Sequence, residues 1–133
     1  MSKNWEIGYA ECEITPRVGH SFMTGFGRDR ICQGTPLPLV AQAVAIRDGD
    51  GTTAVLIAAD VLSFDRPCIN FLRHTISEKH GLTPEAIAVC ASHTHWGPAA
   101  NFSVSLSCGQ INPWYVAELE DKLLGLVDDA MSL

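Results

Sequence analysis

Long apolar runs are missing from this sequence. No window approaches the roughly 18 uninterrupted apolar residues of a membrane span, and the opening Met1-Ser2-Lys3-Asn4-Trp5-Glu6 lacks the apolar stretch of a secretion signal. The expectation is a cytoplasmic chain without a membrane span. Basic runs are missing too. Fifteen acidic residues against nine Lys plus Arg leave a net charge of -6, which excludes a nucleic-acid surface and an anionic-membrane surface. Five cysteines, Cys12, Cys32, Cys68, Cys90 and Cys108, form no Cys-x-x-Cys pair. Their odd number and wide spacing exclude a disulfide framework and a cysteine zinc knuckle, leaving reduced, mostly packed thiols. There is no Gly-x-Ser-x-Gly elbow, and Gly25-x-Gly27 lacks the strand-before, helix-after setting of a nucleotide fingerprint. Without an export signal, the triplet Asn101-Phe102-Ser103 reads as a chance glycosylation match.

What is present is enough for a core. With 133 residues and 47 % hydrophobic side chains, the chain can bury roughly two thirds of the surface its unfolded form exposes. Repeats, low-complexity tracts and linkers are absent, so residues 1–133 read as one domain.

The pattern along the chain predicts an α/β fold, a mixed β-sheet with flanking helices. A short extended segment over Glu6–Ile14 ends at Thr15-Pro16. An irregular stretch from Arg17 to Pro38 is too long for a plain connection and is expected to border a site. Leu39–Arg47 puts Val40, Val44 and Ile46 on one side and alanines on the other, the pattern of a strand with both faces covered. Asp48-Gly49-Asp50-Gly51 turns the chain into a second strand, Thr52–Ala59, antiparallel to the first. Ser63 or Asp65 caps a helix with Pro67 in its first turn and Ile69, Leu72 and Ile76 on one face, which Gly81 stops. Ala86–Ala91 is a third strand reached by a crossover. Asn112 caps a last helix with a stripe of Val116, Leu119, Leu123, Val127 and Ala130.

Polar residues just beyond the carboxyl ends of strands line the usual crevice of such sheets. Asp60 and His93 take these positions, with His95 two residues on. They are the candidate catalytic residues, and His93 and His95 the candidate metal ligands. The spacing leaves three readings open: both rings on one metal, one ring turned inward, or a solvated His-x-His loop. Asp60 either orients an imidazole or caps the following turn. His20, in the long loop, is a weaker ligand candidate. His74 and His80 belong to the first helix and read as structural, His80 suiting the negative end of its dipole. Cys90, inside an apolar strand, reads as a buried inert thiol.

The string Ala91-Ser92-His93-Thr94-His95-Trp96-Gly97-Pro98 resembles the His-Thr-His-x-Gly-Pro signature of the neutral/alkaline non-lysosomal ceramidase family. Other segments agree in order. Ala10–Pro16 resembles the family's Ala-x-x-Asp-Ile-Thr-Pro, Met23-Thr24-Gly25-Phe26 its Met-x-Gly-Tyr, and Leu39–Gly49 with Ala54–Asp60 its first sheet hairpin. The resemblance runs from Ile7 to Leu124. It implies the family's amino-terminal α/β domain and a zinc-dependent amidase of sphingolipid metabolism that cleaves the N-acyl bond of a lipid-like amide. Zinc would activate a water, with His93 or His95 among its ligands.

Two departures accompany the resemblance. The family's upstream Gly-x-His segment, source of its other histidine ligand, falls on Gly34-Thr35-Pro36, and Pro36 has no donor. The family's remaining ligands, a glutamate and a tyrosine, and its catalytic serine region lie in sequence beyond Leu133. The expectation is an incomplete ligand set, with a missing carboxyl-terminal portion or a homo-oligomer supplying the rest. Two function classes follow: a ceramidase-type zinc amide hydrolase or the amino-terminal part of one, and a non-catalytic, metal-free binding or assembly module.

Overall fold

The computed structural model describes residues 4–25, 30–104 and 109–132, and of Val104 the backbone alone. Phe26, Gly27 and Cys108 of the sequence reading lie outside them. Four strands, β1 (Glu6–Glu13), β2 (Val40–Arg47), β3 (Thr53–Ala59) and β4 (Ile87–Ala91), form one sheet in sequence order. The first three are antiparallel and β4 runs parallel to β3, so the sheet is mixed. Helix α1 (Arg66–His80) carries the chain from β3 toward β4 through a single 3-10 turn at Pro84–Ala86, and α2 (Pro113–Met131) follows the long loop after β4. No described helix is long and apolar enough to cross a membrane.

Local chemistry explains the boundaries. Asp48 Oδ1 accepts from Asp50 N and Thr52 N, both at 2.9 Å, closing the β2–β3 turn. Asp65 caps α1, its Oδ1 accepting from Cys68 N at 2.9 Å. Gly81 ends α1 at φ +67°, a left-handed conformation that suits a residue without Cβ. Asn112 caps α2 through Trp114 N at 3.0 Å.

The core lies on one face of the sheet. Ala41, Ala43 and Ala45 of β2 with Val55, Ile57 and Ala59 of β3 meet Cys68, Leu72 and Ile76 of α1 and Leu119, Leu123 and Val127 of α2. On α2 the predicted stripe is buried throughout, whereas on α1 Leu72 and Ile76 are buried with Cys68 and the predicted Ile69 is only partly so. Tyr115 Oη donates to Ile14 O at 2.7 Å, tying α2 to the end of β1, and Arg73 Nε donates to Ile87 O at 2.9 Å, tying α1 to β4.

The reading of β2 as covered on both faces is corrected. Its alanines are fully buried, because their short side chains let α2 lie close across β1 and β2, but Val44 is half-buried and Ile46 is exposed. Apolar alternation reports which residues share a face, not whether anything covers it. Cys90 is corrected for the same reason. It points to the uncovered face and is exposed, whereas Cys32 and Cys68 are buried and Cys12 is partly so. Burial pushes the Cys68 thiol up to about 12, leaving it protonated and inert.

His80 has the structural role expected of it. Its Nε2 donates to Asp128 Oδ1 at 2.9 Å while Lys79 Nζ donates to Oδ2 at 2.6 Å, joining the end of α1 to α2. The Lys79 bond, with a smaller contribution from His80, holds the Asp128 carboxyl below its ordinary value of 3.8 against a partial burial cost. A lowered folded-state value gives stabilisation that is present above the unfolded value and lost as pH falls through the folded one. Asp128→Asn is therefore expected to lower stability at pH 7 by about 1 kcal/mol or less, since the pair is partly solvated. Urea midpoints across pH should show the gap to the wild type closing in acid, below pH 3.8.

Candidate functional site

The stretch from Arg17 to Pro38 borders a cleft, and backbone hydrogen bonds hold it in place. Gly19 N donates to Cys32 O at 2.8 Å, Cys32 N to Ser21 O at 2.8 Å and Met23 N to Arg30 O at 2.7 Å, so the stretch folds back on itself. Thr24 N donates to Gly97 O at 2.8 Å and Ala99 N to Phe22 O at 2.9 Å, pinning it to the segment after β4. Leu39 N donates to Thr15 Oγ1 at 3.0 Å, fixing its far end.

Between this loop and the carboxyl ends of the strands lies a cleft of about 480 Å³. Pro16, Met23, Pro36, Leu37, Leu39 and Trp96 make its walls mainly apolar, and Asp60 is the one ionisable carboxylate among the described lining residues. Leu37 and Trp96 remain 76 % and 71 % exposed, so the apolar lining is open to a solute. Gly97 sits where a Cβ would stand 3.1 Å from Asp60 O and 3.2 Å from Thr94 Cγ2. The glycine lets the bend after β4 press against the bend after β3.

Asp60 Oδ2 accepts from Val40 N at 3.1 Å, and Asp60 N donates to Val40 O at 3.0 Å. The carboxylate thus extends the β2–β3 pairing by one step while bordering the cleft. The His93 ring finds its partner elsewhere: Nδ1–H donates to Leu62 O at 2.8 Å. A carbonyl can only accept, so Nδ1 carries a proton and Nε2 is the nitrogen left to act as a ligand. Metal-binding histidines are oriented in this way by a second hydrogen bond. The orienting bond anticipated from Asp60 is made by the Leu62 carbonyl, a backbone group that no side-chain motif announces.

His93 has φ +62°, a rare conformation for a residue with a side chain. The bend separates the alternate side chains, since Thr94 and Trp96 line the cleft whereas His93 and His95 do not. The two imidazoles instead meet edge to face, with ring centroids 5.1 Å apart and planes at 83°. His20 is exposed, its carbonyl accepting from Asn112 Nδ2, and His74 pairs with Glu78 one helical turn on. The Asn101 amide that a glycan would need is buried and donates to Ser63 Oγ at 2.8 Å.

A hydrolytic zinc generally needs three protein ligands and an open position. Among the described residues no three His, Cys, Asp or Glu side chains come together as such a set. Pro36 lines the cleft with a ring that has no donor atom. The described residues therefore do not fit a complete catalytic zinc site, although among them His93 is oriented as a ligand would be.

No family model matches the sequence, and no curated protein matches it. Solved structures do. Neutral ceramidase from Pseudomonas aeruginosa shares the fold with a TM-score of 0.86 and 18 % identity, over 99 % of this chain and 22 % of that one. A structure described as ceramidase complexed with C2 gives a TM-score of 0.83 and 17 % identity, over 98 % of this chain and 22 % of that one. The chain has the fold of a part of neutral ceramidase and spans 22 % of the length of these structures.

Proposed function

We propose that the chain binds the hydrocarbon tail of a lipid-like amide in the cleft, as the tail-binding part of a ceramidase-type amide hydrolase. The observation that carries this reading is the open apolar cleft at the carboxyl ends of β3 and β4, where ligands of such sheets bind. The fold shared with neutral ceramidase supports the substrate class. His93, with His95 beside it, forms the edge of the amide-cleaving centre, whose other donors come from outside the described residues. No hydrolytic step is assigned to this chain alone.

The test uses an N-acyl amine carrying bromine on its acyl chain, which quenches a tryptophan it touches. Saturable quenching is expected, abolished by Trp96→Phe, unchanged by a chelator, and without cleavage when zinc is added to the isolated chain. Absence of saturable quenching overturns the reading.

A second reading, a metal-free binding or assembly module, is favoured by Pro36 in the cleft wall. Equilibrium dialysis bears on the choice: zinc uptake by the wild type that is lost in a His93→Ala, His95→Ala double variant supports the hydrolase lineage and overturns the metal-free module.

A further inference from the structure

The face of the sheet turned away from the helices is ordered in rows, two of them apolar, and none of the described residues covers it. Its rows follow from the register: Ile7, Ile46 and Ala54 in the first, Tyr9, Val44, Leu56 and Ala88 in the second, and Glu11, Gln42, Ala58 and Cys90 in the third. Ile7 is 68 % exposed, Tyr9 58 % and Leu56 45 %, and Trp5, in phase with Ile7, is 67 % exposed. A contiguous patch of this kind on a folded chain marks an interaction surface.

We propose that this face packs against the same face of a second copy of the chain, giving a twofold dimer of two stacked sheets with the helices outside. Size is the first argument. Two aromatics, at about 200 Å² each when fully covered, and the aliphatics of the first two rows leave on the order of 600 Å² accessible per copy. Doubled, this reaches roughly 1,200 Å², the lower bound of a specific interface.

Shape is the second argument. The ends of the two apolar rows differ in size, Tyr9 on β1 against Ala88 on β4 in the second and Ile7 on β1 against Ala54 on β3 in the first. A twofold axis parallel to the strands lays β1 of one copy over β4 of the other, so that large residues meet small ones and the rows keep their level. Charge is the third. The first two rows carry none. In the third row Glu11 accepts from Tyr9 Oη at 2.9 Å and from Gln42 Nε2 at 2.7 Å, and the same axis sets the two Glu11 carboxylates at opposite ends of that row.

Sedimentation of the chain from micromolar to submillimolar concentration tests the proposal, with iodoacetamide labelling of Cys90 as a second readout. The expected result is a monomer–dimer equilibrium, with Cys90 alkylated several-fold more slowly in the dimer. Leu56→Glu buries an unpaired charge in the interface and is expected to raise the dimer dissociation constant at least roughly a hundredfold with an unchanged circular dichroism spectrum. Phe71→Glu, at an exposed apolar position of α1, should leave dimerisation as it was. A wild type that stays monomeric at the highest concentration overturns the proposal. So does a dimer that survives Leu56→Glu, is lost on Phe71→Glu or leaves Cys90 labelling unchanged.

Discussion

Ile57→Ala is expected to destabilise the chain by about 2–5 kcal/mol, while Leu56→Ala, one residue earlier on the same strand, costs about 1 kcal/mol or less. Ile57 is 0 % exposed in the core beneath the helices, so its truncation loses transfer free energy and leaves a cavity that the flanking alanines of β2 are too small to fill. Leu56 is 45 % exposed on the opposite face and leaves no enclosed void. For a domain of this size each kcal/mol moves Tm by roughly 3–5 °C, so the two variants should melt at least roughly 3 °C apart. The comparison belongs at a concentration where the chain is monomeric, since association would add to the cost at Leu56. Equal losses at the two positions would mean that both faces of β3 are covered.

The same strand shows what the sequence could reveal. The periodicity of Leu72 and Ile76, or of Leu119, Leu123 and Val127, gave the helices and their buried stripes, because a helix exposes its apolar residues to one neighbour at a fixed angular step. The caps Asp65 and Asn112 were equally legible, as their chemistry is local. Strand alternation put Val44 and Ile46 together, but the presence of a covering layer is a tertiary fact. That gap misplaced Cys90, which shares its row with Glu11 and Gln42.

At the site, the positions of Asp60, His93 and the long loop were legible because strand ends and irregular stretches are where such sheets gather ligands. Two features were not. The Leu62 carbonyl that holds the His93 ring carries no side-chain signal, and it leaves Asp60 bonded to Val40 N. The left-handed turn at His93, with Thr94 and Trp96 in the cleft and the histidines outside it, has no residue-type signal, because a histidine rarely adopts positive φ.

If the cleft holds a hydrocarbon tail, affinity should climb with acyl length in fixed steps. Transfer of one methylene from water to an apolar surface is worth about 0.8 kcal/mol when fully buried. The cleft is open on one side, with Leu37 and Trp96 largely exposed, so a bound methylene loses between half and all of its contact with water. Each added pair of methylenes should then lower Kd roughly fourfold to fifteenfold, until the tail outgrows the cleft and the gain stops. Titration of the Trp96 signal with N-acyl amines of increasing even chain length, below their critical micelle concentrations, measures the slope. Asp60 sharpens the expectation, because a free fatty acid brings its own carboxylate to an apolar cleft that already has one. The neutral amide should bind more tightly than the acid of equal length at pH 7, and the difference should shrink as the acid is protonated. A flat response to chain length, or an acid that outbinds its amide, would place the tail elsewhere on the molecule.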